Sequence, residues 1–232
     1  MPKKIVVLSG AGISAESGIA TFRDSNGLWE GHDIIEVASP QGWNANHELV
    51  LNFYNLRRSA ARMAKPNLGH QILADLEKDF EVVIVTQNVD DLHERAGSKN
   101  VIHLHGELCK ARSCIDENLV YEIPEGASIS LGDLCEKGSQ LRPHIVWFGE
   151  MVPMMEMAVQ EALTADIFIV AGTSLLVYPA AGLVDYVPDH APIFVIDPKM
   201  PSLRSSLNLY PIEENATSGL KKVADILRKE FL

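Results

Sequence analysis

The chain has 232 residues and is 47% hydrophobic, which is enough apolar material to bury the core of one domain. Its 20 basic and 31 acidic side chains give a net charge of −11, and this excludes a generally basic surface for nucleic acid or anionic lipid. The first apolar run, residues 5–8, is too short for a signal peptide or a membrane span. Three cysteines fit no disulfide framework and indicate a reducing compartment, so we expect a soluble, cytoplasmic protein that binds neither nucleic acid nor membrane.

Short β-branched runs alternate with helical patterns along the chain, and this alternation is typical of a doubly wound parallel sheet. The predicted strands are residues 4–8, 82–86, 101–104, 144–147, 167–171 and 193–196. The predicted helices are residues 151–165, 178–187 and 216–231. Two segments interrupt this rhythm: residues 25–77 have a helical pattern, and residues 107–141 contain all three cysteines. We therefore expect a single α/β domain with a Rossmann-like doubly wound parallel sheet (1–24, 78–106, 142–232) and a smaller lobe formed from the two insertions.

A glycine-rich turn follows the first predicted strand. Gly10, Gly12 and Ala15 fit the G-x-G-x-x-[GA] pattern of a strand that turns into a helix beneath a pyrophosphate. Gly18 then interrupts the helix, and the acid-ended strand that a dehydrogenase needs about 20 residues later is missing. Residues 21–30 carry glycine, an arginine and two aromatics, which suits either a loop folded over a ligand or an exposed connection. The turn therefore predicts a nucleotide site and argues against an ordinary dehydrogenase.

Polar residues follow the later predicted strands. Amide and carboxylate side chains occupy residues 87–91, His103 and His105 end the third strand, small donors occupy 172–174, and Asp197 follows the sixth strand. Each of these could be helix capping alone, but parallel strands end at one edge of the sheet, where ligands bind. Together they predict a nucleotide site. The two histidines share one strand face, so they form either a metal pair or one structural and one functional histidine.

One family carries all of these motifs in the same order. They are GAGISAESGI at 10–19, TFR at 21–23, TQNVD at 86–90, LHERAG at 92–97, HG at 105–106, RP at 142–143, WFGE at 147–150 and GTS at 172–174. The chain therefore resembles the sirtuins, which are NAD-dependent protein-lysine deacylases, over nearly its whole length. The resemblance implies that NAD is consumed as a co-substrate and that acylated lysine in proteins or peptides is the partner.

The resemblance also assigns residues to the site. It implies that the phosphates and the nicotinamide ribose contact Gly10, Ala11, Gly12, Ser14, Glu16, Ser17, Gly18, Ile19, Thr21, Phe22, Arg23 and Trp29. It implies that nicotinamide is oriented by Gln87, Asn88, Val89 and Asp90, and that adenosine contacts Gly172, Thr173, Ser174, Asp197, Pro198, Lys199 and Ala216. His105 would act as the general base, with Asn88 as a second catalytic residue. The substrate would contact Val146, Phe148, Gly149 and Glu150, the last two by strand addition.

The helical insertion contains a possible acyl-recognition pair. Tyr54 and Arg57 lie at i and i+3, so on a helix they share a face on which a phenol and a guanidinium could hold a carboxylate. An exposed helix that carries an arginine is the alternative. The pair is similar to one that marks class III sirtuins, which remove succinyl and malonyl groups. We therefore expect a desuccinylase and demalonylase with weaker deacetylase activity; the alternatives are a mono-ADP-ribosyltransferase using the same NAD site, a dehydrogenase and a noncatalytic NAD-binding protein.

The cysteines depart from the sirtuin pattern. Typical sirtuins hold a structural zinc with two Cys-x-x-Cys pairs, whereas this chain has Cys109, Cys114 and Cys135, with Ser113 where a ligand is implied. A closed tetrahedral site needs four ligands. We therefore expect that the zinc is lost, that no other metal is bound, and that packing holds the smaller lobe together.

Overall fold

Strands and helices alternate through the computed structural model, which describes residues 2–20, 28–29, 31–201 and 208–232. The strands are β1 (Lys4–Ser9), β2 (Leu28–Trp29), β3 (His32–Asp33), β4 (Glu81–Thr86), β5 (Val101–His103), β6 (Gly106–Ser113), β7 (Val120–Glu122), β8 (Leu141–Ile145), β9 (Ile167–Ala171), β10 (Ile193–Ile196) and β11 (Leu209–Ile212). The helices are α1 (Ala11–Ala15), α2 (Ile34–Val37), α3 (Pro40–Ala45), α4 (His47–Met63), α5 (Leu68–Leu76), α6 (Leu92–Ala96), α7 (Met155–Leu163), a 3-10 helix (Ala180–Tyr186) and α8 (Ala216–Glu230). Within the described ranges, none of these helices has the length and apolarity that crossing a membrane requires.

Six of these strands form one parallel sheet in the order β11-β10-β9-β1-β4-β5. β1 lies inside the sheet, with β4 and β5 on one side and the three later strands on the other. The strand order therefore reverses beside β1, and sheets of this kind bind ligands outside the carboxyl ends of their strands at such a point. This order confirms the predicted Rossmann-like, doubly wound sheet.

The strands of this sheet are buried on both faces, as a parallel sheet covered by helices requires. In β1, Ile5 and Val7 face a core cluster formed with α5 and α8. Val6 and Leu8 face a second cluster formed with α7 and the 3-10 helix. Side chains alternate between the two faces because a strand has a two-residue period. Burial on both sides thus explains why β1 is a continuous apolar run rather than an alternating one.

The smaller lobe combines α2, α3 and α4 with the antiparallel sheet β7-β6-β8. Its own core cluster contains Trp43 from α3, Tyr54 from α4 and Trp147, which follows β8. α4 begins after Asn46, whose side chain accepts a hydrogen bond from the Leu49 amide and caps the helix. The lobe therefore has a core separate from the two cores of the parallel sheet.

The strand predicted at residues 144–147 is wrong in its bounds and in its partner. β8 spans Leu141–Ile145 and pairs antiparallel with β6, so it lies in the small sheet. Ile145 and Trp147 are buried in the small-lobe cluster. The apolar pattern correctly indicates burial, but a local pattern does not identify which core receives the side chains.

Two further elements differ from the predicted division of the chain. α5 lies in the insertion predicted at 25–77, yet its residues Leu73 and Leu76 pack in the core beside β1 and β4. The sequence pattern does not indicate β11, because Pro211 argues against a central strand. The structure places β11 at the edge of the sheet, where a proline is tolerated.

Gly106 begins β6 and turns the chain out of the parallel sheet into the small sheet. Its φ is +81°, and a Cβ atom on it would lie 2.0 Å from the carbonyl oxygen of His144. We expect Gly106→Ala to lower the free energy of unfolding by about 3 kcal/mol or more, because backbone strain and a backbone clash add together. Guanidinium denaturation measures this loss.

Gly138 provides the matched control for that substitution. Its φ is +71°, but a Cβ atom on it would meet nothing within 4 Å. Gly138→Ala should therefore cost about 1 kcal/mol, the strain alone. Equal losses in the two variants would contradict the assignment of Gly106 as a close-packed corner.

Candidate active site

The turn between β1 and α1 lies directly against the end of β9. The Gly10 amide donates to the Ala171 carbonyl at 3.0 Å, and the Gly12 amide donates to the Gly172 carbonyl at 2.8 Å. A Cβ atom on Gly12 would lie 2.7 Å from the Gly172 Cα atom. Glycine is therefore required here for a close backbone approach, as the dinucleotide-binding pattern predicts. This geometry fits NAD at the carboxyl edge of the sheet.

A buried polar network joins the same turn to the segment after β4. The Ser14 hydroxyl donates to Asp90 Oδ2 and accepts from Asn88 Nδ2, both at 3.1 Å. Gln87 Nε2 donates to Thr173 Oγ1 at 3.0 Å, which reaches the segment after β9. Burial raises the pKa of Asp90, although hydrogen bonds from the Leu92 amide and Ser14 oppose the rise. Residues predicted from three separate strand ends thus contact one another.

His105 lies in the connection between β5 and β6, beside this network. Its Nδ1 donates to the backbone carbonyl of Gln87 at 2.9 Å, so Nε2 carries the lone pair in the neutral ring. Burial lowers the pKa of His105 below its usual value, although the bond to Gln87 opposes the shift. The site therefore holds a neutral imidazole with a defined tautomer, which is the state that a general base needs.

His103 differs from His105 in having both ring nitrogens engaged. Its Nδ1 donates to the Asn88 carbonyl at 3.0 Å, and its Nε2 donates to Glu94 Oε1 at 2.8 Å. Burial disfavours the charged ring, but the bond to the Glu94 carboxylate outweighs it and raises the pKa of His103. Because both nitrogens are donors, this geometry does not support a metal pair with His105. His103 therefore bridges the Asn88 carbonyl and Glu94.

The sequence analysis did not identify two further residues that contact this network and α1, His70 and Asn67. His70 Nε2 lies 3.5 Å from Ser14 Oγ, and its Nδ1 accepts from the Asn67 amide at 3.3 Å. Burial lowers the pKa of His70 to about 4. Asn67 Nδ2 also donates to the Ile13 carbonyl at 2.7 Å and so fixes α1. Pro66 followed by Asn67 is a helix-start signal that could have drawn attention to these residues.

Tyr54 and Arg57 are both buried, so the alternative of an exposed arginine does not hold. Arg57 is 8% exposed and its guanidinium lies 5.6 Å from the Phe53 ring. The Tyr54 hydroxyl accepts from Trp147 Nε1 at 3.1 Å. Burial raises the pKa of Tyr54 far above its usual value, and the Arg57 charge opposes that rise. Phenol and guanidinium therefore lie close together inside the small lobe, beside the segment after β8.

Glu150 was predicted to pair with the substrate through its backbone, and its carboxylate binds other groups of the chain. Arg142 donates to both carboxylate oxygens, at 2.7 and 3.1 Å, Arg112 donates at 3.1 Å and the Trp147 amide donates at 2.8 Å. The two arginines and the amide lower the pKa of Glu150 despite its burial. The Arg142 guanidinium also lies 3.3 Å from the Trp147 ring centroid. These contacts hold residues 146–150, and they leave Phe148 42% exposed.

The remaining predicted residues lie at the same edge, with some exceptions. The predicted adenosine contacts are at the ends of β9 and β10 and at the start of α8; they are Gly172, Thr173, Ser174, Asp197, Pro198, Lys199 and Ala216. The Glu16 carboxylate accepts from the amide and the hydroxyl of Thr217, at 3.1 and 2.8 Å, and so caps the first turn of α8. Four predicted contacts lie outside the described residues or have side chains outside them: Thr21, Phe22, Arg23 and Trp29.

The cysteines do not fit the zinc that the sirtuin pattern implies. The Cys135 thiol donates to Ser113 Oγ at 3.3 Å, Cys114 is exposed and Cys109 is half-buried on β6. Across the part of the chain that the structure describes, no three histidine, cysteine or acidic side chains form a group suited to a metal ion. A closed zinc site needs four such ligands.

Comparisons with known proteins agree with this geometry. A sequence model of the Sir2 family matches residues 10–179. An NAD-dependent protein deacylase of Helicobacter pylori strain J99 is 52% identical over 234 residues and covers 99% of both chains. A protein of the same name from Bacteroides thetaiotaomicron is 49% identical over 229 residues, which are 97% of this chain and 98% of that one.

Solved structures extend the likeness to the fold. A Sir2 homolog–NAD complex has a TM-score of 0.88 and 41% identity, and the match covers 98% of this chain and 90% of that one. A structure described as Sir2 bound to acetylated peptide has a TM-score of 0.79 and 29% identity, with 97% and 93% covered. The chain therefore belongs to the Sir2 family, the sirtuins, and is an NAD-dependent protein deacylase.

Proposed function

We propose that this enzyme removes succinyl and malonyl groups from lysines of proteins or peptides, and acetyl groups more slowly. The observation that carries this proposal is the buried pair of Tyr54 and Arg57 on one face of α4. A guanidinium binds a carboxylate by charge-assisted hydrogen bonds, and a low-dielectric interior strengthens them. Succinyl and malonyl groups end in a carboxylate, whereas an acetyl group has no charge to offer. The pair therefore favours acidic acyl groups.

The position of the pair relative to His105 supports the same proposal. The Val146 amide donates to the His105 carbonyl at 2.9 Å, so the segment after β8 begins beside the base. Trp147, the next residue, reaches the Tyr54 hydroxyl. A lysine chain that enters beside Val146 and Phe148 would thus place its amide near His105 and its acyl end toward Arg57. The peptide backbone would pair with residues 149–150, where Glu150 would use its carbonyl, because its amide donates to the Trp147 carbonyl at 3.0 Å and its carboxylate binds Arg142.

The residues of the edge have separate roles in the proposed reaction. When bound, NAD supplies the nicotinamide leaving group and the ribose hydroxyl whose proton is removed. Gln87, Asn88 and Asp90 orient the nicotinamide end, and the glycine turn and the ends of β9 and β10 hold the rest. His105 Nε2 accepts the ribose proton, because its Nδ1–H is fixed on Gln87. With one water consumed, the products would be nicotinamide, O-acyl-ADP-ribose and the free lysine.

The two-lobe arrangement and the cellular location also belong to this proposal. The NAD residues lie on the parallel-sheet lobe, and the acyl-recognition pair lies on the small lobe, so the substrate would be held between the two insertions and the sheet edge. Cys109, Cys114 and Cys135 are free thiols, which supports a reducing compartment such as the cytoplasm.

Arg57→Met tests the acyl preference. Matched acetyl-, malonyl- and succinyl-lysine peptides of one sequence are incubated with NAD, and kcat/KM is measured for each. Loss of the charge-assisted bonds should lower kcat/KM for succinyl and malonyl peptides by about 100-fold and leave the acetyl peptide nearly unchanged. Arg62→Met on the same helix is the control, because Arg62 donates to the Ile123 carbonyl at 2.6 Å rather than facing this pair. An unchanged succinyl-to-acetyl ratio in Arg57→Met would contradict the acyl assignment.

The pH profile tests His105 as the base. Only the neutral ring accepts a proton, and the pKa of His105 is lowered, so kcat/KM should fall toward acid pH with a midpoint below pH 6.5. His105→Gln should lower deacylation by about 1,000-fold, and His190→Gln, at an exposed histidine, should leave it unchanged. A midpoint above pH 6.5 would exclude this assignment.

Labelled NAD that marks the protein partner without loss of its acyl group would instead indicate an ADP-ribosyltransferase.

A further inference from the structure

We propose that His103 is a positioning residue for Asn88, and that its Nδ1–H keeps the Asn88 peptide in the orientation that directs the side-chain amide into the NAD site. This inference rests on the proposed role of Asn88 at the nicotinamide end. His103 makes no contact in the proposed reaction itself. It acts through the backbone carbonyl of Asn88, which accepts the Nδ1 proton at 3.0 Å.

The two histidines hold consecutive carbonyls of one short segment. His105 Nδ1 donates to the Gln87 carbonyl at 2.9 Å, and His103 Nδ1 donates to the Asn88 carbonyl at 3.0 Å. Their other nitrogens differ: His105 Nε2 is the proposed base, whereas His103 Nε2 donates to Glu94. His103 and His105, two residues apart, therefore hold neighbouring carbonyls through the same ring atom, Nδ1, and differ in what Nε2 does.

Asn88 is fixed at three points, of which His103 supplies one. Its amide donates to Thr86 Oγ1 at 3.1 Å, and its side-chain Nδ2 donates to Ser14 Oγ at 3.1 Å. The residue is 6% exposed, so a carbonyl that lost its donor would be left in a largely dry environment. The peptide would then rotate toward another donor, and the side-chain amide would move with it. The anchor thus links His103 to the geometry at Ser14.

Glu94 limits the rotation of the His103 ring. Its carboxylate on α6 accepts from Nε2 at 2.8 Å, and the side chain of Glu94 is 40% exposed. The other titratable groups near His103 are Asp90 at the end of the segment after β4, Glu107 on β6 and His93 on α6. The Asn88 carbonyl and the Glu94 carboxylate each accept one hydrogen bond from the ring. The His103 ring therefore bridges the segment after β4 and α6.

Two near-isosteric substitutions separate the Nδ1 donor, which binds the Asn88 carbonyl, from the Nε2 donor, which binds Glu94. An asparagine amide occupies nearly the position of histidine Nδ1, and a glutamine amide occupies nearly the position of Nε2. His103→Asn should therefore retain the bond to the Asn88 carbonyl, and His103→Gln should retain the bond to Glu94. We measure nicotinamide release with NAD and succinyl-lysine peptide, together with thermal unfolding of both variants.

We expect kcat to fall in the variant that loses the hydrogen bond to the Asn88 carbonyl. His103→Gln should lower kcat for nicotinamide release by about tenfold with the peptide KM unchanged, and His103→Asn should stay within about twofold of the parent enzyme. A purely structural role predicts the reverse order, because the bond to the Glu94 carboxylate is the charge-assisted one. Equal rates in the two variants, or a slower His103→Asn, would overturn the proposal.

Asn88→Ala separates a failure of this inference from a failure of the proposed site. If Asn88→Ala is slow and the two His103 variants are equal, His103 does not position Asn88, and the role of Asn88 stands. If Asn88→Ala releases nicotinamide at the parent rate, the proposed role of Asn88 fails and the inference fails with it. The acyl selectivity of Arg57→Met is independent of both outcomes.

Discussion

The site depends on the hydrogen bonds that hold the segment after β4 at the carboxyl edge of the sheet. Gln87 and Asn88 are held through their carbonyls by His105 and His103, and Asp90 is held through Ser14. These bonds bring four separate elements to one point. Because Asn88 and Asp90 are buried, the loss of a donor would leave a polar group with little access to water. The tautomer of His105, and hence its capacity as a base, follows from this arrangement.

The small lobe fixes the segment that follows β8. Arg142 and Arg112 bind the Glu150 carboxylate, which also accepts a hydrogen bond from the Trp147 amide. Trp147 is therefore held from both sides, by this ion-paired cluster and by the Tyr54 hydroxyl. A buried ion pair adds little stability on average. Here it holds the segment that contacts the His105 carbonyl through Val146 and the Tyr54 hydroxyl through Trp147.

Much of the fold could be predicted because burial leaves a local pattern in the sequence. The strands β1, β4, β9 and β10 are apolar runs, and the polar residues that follow them lie together because parallel strands end at one edge. The strand at 144–147 was misplaced for the same reason, since Ile145 and Trp147 show burial without showing which core receives them. β11 carries a proline and gives no strand pattern, yet it completes the edge of the sheet.

The sequence by itself determined the α/β fold class, the sheet edge at which the polar motifs meet and the family to which the chain belongs. These follow from periodicity and from motifs whose residues are neighbours along the chain. Only the tertiary structure decided the partner of each polar side chain: Glu150 binds two arginines, Glu16 caps α8, and His70 reaches Ser14 across 56 residues. It also decided that Arg57 is buried. Such choices depend on distances between remote segments, because hydrogen bonds and charges act over a few ångströms in space and not along the sequence.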